Sequence, residues 1–195
     1  MSSRAEQKLQ TRQRIVAAAE RGFRKGGFDG LGVDGLAKAA GVTSGAFYVH
    51  FSSKTQAFCE AVAHGMSDLK AGVLHFQTTH GRQWWPEFVR FYLNEKRTCD
   101  LSESCSLQSL SPEVARSDET ARAAFEAGLR DVAEAIVSGP RSPQLPRDVD
   151  AACVALASLI GAVTLARAVA SPDFANQIAR SIGQTLLGTH WASEP

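Results

Sequence analysis

The chain has 195 residues, 44% hydrophobic and 21% charged, a globular composition that excludes collagen-like, disordered and disulfide-stapled classes. Its four cysteines, Cys59, Cys99, Cys105 and Cys153, contain no CxxC pair, so a zinc ribbon is excluded and reduced thiols in the cytoplasm are expected. The net charge of +1 hides a division: residues 1–55 carry nine Lys or Arg against four acids, net +5, and the remainder twelve against sixteen, net −4.

A basic head on a mildly acidic body points to a polyanionic partner. The start MSSRAEQKLQTRQR lacks an apolar run, so no secretory leader is expected. The longest apolar stretch, Ala151 to Ala166, is shorter than the roughly 20 residues of a membrane helix; a buried helix and no membrane partner are expected.

In chain order, apolar residues recur at three- and four-residue spacings, which predicts an all-α fold. Ile15, Ala19 and Phe23 share a face of a first helix that stops at Gly26-Gly27, a glycine C-terminal signal. Val33, Leu36, Ala37 and Ala40 mark a short second helix ended by Gly41. A third starts at Thr43, an N-cap type, and turns Phe47 and Phe51 inward. Ser52 or Ser53 caps a long fourth helix carrying Phe58, Val62, Met66, Leu69 and Val73. An aromatic helix holds Trp84 to Tyr92, a weaker one spans 104–116, and another 118–137. The proline-rich stretch 139–148 reads as an exposed connector, and two helices, about 149–170 and 173–188, complete the chain.

Within 33–51 the spacing carries function. Two short helices crossing at a steep angle need a small residue at the crossing, a glycine in the turn and a bulky anchor on the second helix. Ala37, Gly41 and Phe47 supply these parts. The second helix then offers short polar groups, Thr43, Ser44 and Gly45, with Tyr48, to a major groove.

The stretch TRQRIVAAAERGFRKGGFDGLGVDGLAKAAGVTSGAFYVHFSSKTQAF (11–58) resembles the tetracycline-repressor (TetR) type of bacterial transcriptional regulators, most specifically in GVTSGAFYVHFSSK. The resemblance implies a three-helix helix-turn-helix DNA-binding head, residues 1–52, and a helical ligand-binding and dimerisation body, 53–195. It places Thr43, Ser44 and Gly45 where such proteins read bases or approach the backbone, and Tyr48, His50 and Lys54 where they grip phosphates. Arg4, Lys8 and Arg12 of the first helix are expected to add phosphate contacts. Gly32, in place of a capping Ser or Thr, and Gly35 inside the second helix depart from the pattern; Gly35 costs up to ~1 kcal/mol relative to Ala. Residues 105–136 resemble the ligand-domain segment of one branch of the family, with Ser104-Cys105-Ser106 where Gly-Cys-Pro is common.

The implied function is a repressor released from a palindromic operator by a small apolar or aromatic effector. Its expected pocket comprises Trp84, Trp85, Phe88, Phe91, Tyr92, Cys105, Gln108 and Phe125, with Arg90 as a further polar member. A homodimer is expected through a four-helix bundle using Leu156, Leu159, Ile160, Val163, Ile178, Ile182 and Leu186, since the last two helices carry wide apolar faces. Two alternatives stand beside it: a helical interaction or sensor protein without DNA binding, and an electrophile or redox sensor built on Cys105, a thiol at a helix start.

Other chemistry finds no support. Gly30 to Gly35 match GxGxxG, but that pattern has meaning only after a strand. The histidines show no HExxH or paired-ligand spacing, and no nucleophile elbow surrounds Ser44 or Ser106. No cofactor, no metal site and no catalytic set are expected, and the chain is not read as an enzyme.

Overall fold

The computed structural model describes residues 3–191. The ends 1–2 and 192–195, included above in the head and the body, lie outside them. The described chain is built from helices α1 (Arg4–Gly26), α2 (Val33–Ala39), α3 (Ser44–His50), α4 (Lys54–His80), α5 (Trp84–Thr98), α6 (Ser106–Ala115), α7 (Glu119–Val137), α8 (Val149–Ala168) and α9 (Pro172–Leu187). No strand occurs among the described residues, so the glycine pattern at 30–35 is not a nucleotide-binding turn. The chain divides into two compact units, Met1–Ser67 with Leu101–Ala127, and Asp68–Asp100 with Gly128–Pro195.

The first unit is assembled around the aromatic residues of the head. α1 opens in a capping box: Ser3 Oγ accepts from the Glu6 amide at 3.2 Å, and the Ser3 amide donates to Glu6 Oε2 at 2.6 Å. It closes on Gly27, whose φ of 72° favours glycine and whose N–H donates to Phe23 O at 2.9 Å. Phe23, Phe47, Phe51 and Phe58 are fully buried with Ile15 and Leu36, and Phe58 meets the rings of Phe23 and Phe28 edge-on at 5.2 and 5.3 Å. Such pairs add about 0.5–1.5 kcal/mol beyond area burial.

The crossing of α2 and α3 follows the expected chemistry. Gly41 has φ 68° and its amide donates to Lys38 O at 3.1 Å, while the Val42 amide donates to Ala37 O at 2.9 Å. Ala37 and Phe47 are buried at the crossing. Gly35 has a use that composition hides. A Cβ there would lie 3.0 Å from Leu31 Cδ2, and one at Gly22 2.8 Å from Leu31 Cδ1. Leu31 is keyed between the two glycines, so the helix-propensity cost at Gly35 is offset by close packing.

A buried ionic cluster ties α1, α4 and α6 together inside this unit. Glu20, on the apolar side of α1, is 3% exposed. Its carboxylate accepts from Arg24 Nη1 at 2.9 Å and from Ser106 Oγ at 2.9 Å, and meets His64 Nδ1 at 3.0 Å. Arg24 Nη1 also donates to Ser104 O at 3.1 Å. Gly65 leaves room for the cluster: a Cβ there would run into Ser106 Oγ and lie 2.9 Å from Glu20 Oε1. Gly65→Ala is therefore expected to destabilise the protein by about 1–3 kcal/mol through overpacking, read from the urea midpoint.

The second unit holds the aromatic helix and the last two helices. The stretch 139–148, expected to be an exposed connector, is tied down. Trp84 Nε1 donates to Pro140 O at 2.8 Å, the Trp85 amide donates to Ser142 Oγ at 3.2 Å, and Ser142 Oγ donates to Arg82 O at 2.9 Å. Arg167 near the end of α8 donates to Lys96 O at 2.7 Å and Cys99 O at 3.0 Å, satisfying carbonyls at the C-terminus of α5 with a cation suited to that end of the helix.

Candidate nucleic-acid interface

α3 is held by its inner side. Phe47 is fully buried and lies 5.4 Å from the Phe51 ring, which turns Thr43, Gly45, Tyr48 and Val49 outward; Tyr48 is 57% and Val49 67% exposed. Thr43 Oγ1 accepts from the Ala46 amide at 3.1 Å and so caps the helix it begins. Ser44 Oγ donates to Asp34 Oδ1 at 2.5 Å. Both hydroxyls expected to read bases thus have partners in the protein, and the Asp34 carboxylate is held by Ser44. Gly45 presents bare backbone: only Thr43 Oγ1, at 3.9 Å, comes near a Cβ built there.

Val49 was missed in the sequence. Four residues after Gly45, it shares the outer face, where a branched apolar side chain suits a thymine methyl. Its chemistry alone is that of a core residue.

Beside the end of α3, Arg4, Ala5, Gln7, Lys8 and Thr11 of α1 form a groove of about 640 Å³ with Val49 and His50. Burial first, then Lys8 and Arg12, hold the His50 imidazole pKa below its ordinary value, and His50 Nδ1 is buried with no hydrogen-bond partner among the described residues. Arg12, expected at a phosphate, is engaged within the protein. Its Nη1 donates to His50 O at 3.2 Å, its Nη2 pairs with Glu60, and its guanidinium lies 4.4 Å over the Phe51 ring. It clamps α1 to the end of α3. Lys54, at the first turn of α4, stacks its ammonium 4.4 Å over Phe28, a cation–π contact that aims the charge.

Trp84, Trp85, Phe88, Phe91 and Tyr92, expected to line a pocket, form one ring cluster in the second unit. Trp84 meets Trp85 at 5.8 Å, Trp85 stacks on Phe88 at 5.9 Å, and Phe88 meets Tyr92 at 6.0 Å. Phe76 of α4, absent from the expected set, joins Phe88 at 5.6 Å and Phe91 at 5.2 Å. Both adjacent indoles are buried, although neighbouring helical positions point to different sides; the 139–148 segment covers one of them at Pro140. Trp85 Nε1 is buried with no hydrogen-bond partner among the described residues. Cys105, Gln108 and Phe125 belong to the first unit: Cys105 is the buried N-cap of α6, Gln108 Oε1 accepts from Ser109 Oγ at 3.2 Å, and Phe125 packs against the core of the head. Burial and then Asp118 push the Cys59 thiol pKa up, which keeps that sulfur protonated and unreactive at neutral pH.

The residues expected at a dimer face divide by burial. Leu156, Leu159 and Val163 are already buried within one chain, because α8 turns that stripe onto its own unit. Ile160, Ile178, Ile182 and Leu186 are half-buried. The most exposed large apolar residues of these two helices are Val154 and Leu165 of α8, 65% and 58% exposed, and Phe174 of α9. α8 has a mean hydropathy of 2.0 over its most apolar window, of which 39% is buried. By length and composition it would pass for a membrane span; the buried stripe is that of a core helix with one side uncovered.

The family model for bacterial regulatory proteins of the tetR family matches residues 15–61, from α1 to the start of α4. Among curated proteins no relative matches the chain. A TetR-family transcriptional regulator from Agrobacterium tumefaciens shares the fold with a TM-score of 0.71 at 17% identity, over 93% of this chain and 100% of that one. Reduced NemR of E. coli gives 0.72 at 22% identity over 92% and 98%. A TetR transcriptional regulator from Chloroflexus aurantiacus gives 0.69 at 19% over 93% and 98%. The head thus matches the model of the tetR family of bacterial regulatory proteins, and nearly the whole length shares the fold of these regulators.

Proposed function

We propose that the protein is a ligand-responsive repressor that binds a palindromic operator as a homodimer and leaves it when a small apolar or aromatic effector binds. The observation that carries this reading is the outer face of α3: Gly45, Tyr48 and Val49 stand free beside a groove lined by Arg4, Lys8 and His50. Two such helices enter successive major grooves, with centres ~34 Å apart. Thr43 and Ser44 fix the start of the helix, and Gly45 lets backbone approach the duplex.

Arg4, Lys8 and Lys54 from two subunits bring six cations to phosphates, which sets a slope of about −5 in log K against log salt. Homodimerisation through the Val154, Leu165 and Phe174 face brings the two heads to one operator. The effector occupies the Trp84–Tyr92 region, where Trp85 Nε1 supplies a donor without an acceptor among the described residues. α4 runs unbroken for 27 residues from Lys54 to His80, ~40 Å at 1.5 Å per residue. A small tilt of this rod changes head spacing, and a coupling of about 1–3 kcal/mol changes operator affinity about 5–150-fold.

The test is fluorescence anisotropy of the protein's own upstream DNA at two salt concentrations, with Tyr48→Ala alongside. The expected result is a steep salt dependence and a loss of about tenfold or more in the variant, from hydrogen bonds to phosphate. An unchanged signal in Tyr48→Ala, or no salt slope, contradicts the reading.

The His50 site adds a pH dependence. In the free protein, burial, Lys8 and Arg12 favour the neutral ring; Arg4 lines the same groove, and Glu60 is engaged by Arg12. An arriving phosphate favours the charged ring, so operator binding takes up a proton. Affinity is expected to rise as pH falls through the ordinary imidazole range near ~6.5 and to level off below the depressed value of the free protein. His50→Gln should flatten this part of the profile measured by anisotropy.

A further inference from the structure

A second cavity lies wholly within the second unit, at the C-terminal end of α5. It has a volume of about 390 Å³ and is lined by Asn94 and Arg97 of α5, by Asn176, Arg180 and Gln184 of α9, and by Trp191. Asn176, Arg180 and Gln184 stand at four-residue steps and so share one stripe of α9. The size is within the range of small-molecule sites, and its chemistry is one-sided. Two guanidiniums and three amides face the space, and among the described residues no carboxylate lines it.

The two arginines are prepared differently. Arg97 is fixed: its Nε donates to Leu93 O at 2.8 Å and its Nη2 to Asn176 Oδ1 at 3.0 Å. That orients the planar head and leaves Nη1 for a ligand. Arg180 is exposed and makes no ion pair among the described residues. A fixed fork beside an exposed one is suited to a planar oxyanion, which guanidinium binds through two parallel hydrogen bonds.

The remaining wall selects for a ring. Trp191 lies on α9 at Gly183, so closely that a Cβ at Gly183 would enter the indole at Cδ2 and Cε3. The glycine seats the indole flat, at the border of the cavity. We propose that this cavity binds a small aromatic carboxylate, its carboxylate held by Arg97 and Arg180 and its ring packed against Trp191. The site involves neither the α3 face nor the Trp84–Tyr92 ring cluster, so it stands independently of the DNA-binding reading.

The experiment titrates the full chain with benzoate, with benzamide as its uncharged counterpart and inorganic phosphate as an anion without a ring. Binding is followed by tryptophan fluorescence and by calorimetry. Trp84 and Trp85 are buried, so the fluorescence response is expected to vanish in Trp191→Phe. Benzoate should give saturable binding, benzamide and phosphate none, and Arg180→Met should weaken benzoate about tenfold or more, the share of a charge-assisted hydrogen bond. Arg180 is an exposed position, and unchanged thermal unfolding of that variant shows that folding is intact. Equal binding of benzamide, equal binding of phosphate, an unchanged Arg180→Met, or no saturable benzoate heat overturns the proposal.

Discussion

Replacing Glu20 with alanine is expected to destabilise the protein by about 3–5 kcal/mol, the cost of leaving a buried ion without its partner. Arg24 is only 13% exposed in its side chain and pairs with Glu20 at 2.9 Å. Without the carboxylate it retains Ser104 O and a long contact to Ser106 Oγ at 3.4 Å, which do not neutralise a guanidinium. Glu20→Gln keeps an acceptor for Ser106 and should lose less. The double variant Glu20→Met with Arg24→Met removes both charges, and recovery of most of the lost stability is expected, because an apolar pair of similar volume is often neutral or stabilising. Urea unfolding of the four proteins measures this; a loss under about 1 kcal/mol in Glu20→Ala would mean that the cluster is solvated.

The second large effect concerns assembly. Leu165→Glu is expected to convert the proposed dimer to monomers in sedimentation experiments and to lower operator affinity by on the order of 100-fold or more, since symmetry buries the new charge twice in the same interface. Leu159→Ala separates this face from the protomer core. Leu159 is fully buried within one chain, so truncation should cost about 2–5 kcal/mol of stability while the folded protein still dimerises. A Leu165→Glu protein that remains dimeric would place the interface elsewhere.

What could be read from residues alone follows the range of the interactions. The end of α1 at Gly27, the Gly41 turn and the inward Phe47 rest on contacts within a few residues, and cap chemistry and helical spacing reveal them. Arg12 could not be read in this way. Its partners His50 and Glu60 lie 38 and 48 positions away, and a lone arginine on a basic helix looks like a phosphate ligand. Glu20 is similar: an acid beside Ala19 looks like a break in the apolar stripe until Arg24, His64 and Ser106 are brought to it. α8 fails for another reason. It is apolar on nearly every side, so periodicity has no phase to report, and Leu156 cannot be told from Val154 by composition. The 139–148 segment reads as loose because its prolines show in the sequence and its acceptor for the Trp84 indole does not.

The central claim is that the outer face of α3 enters a major groove, and dimethyl sulfate footprinting on the operator tests it most directly. Guanine N7 lies in the major groove and adenine N3 in the minor groove. Two patches of guanine N7 protection, centred about one helical turn apart or modestly more and lost together in Tyr48→Ala, are the predicted result. Protection confined to adenine N3, or a pattern that Tyr48→Ala leaves unchanged, would contradict it.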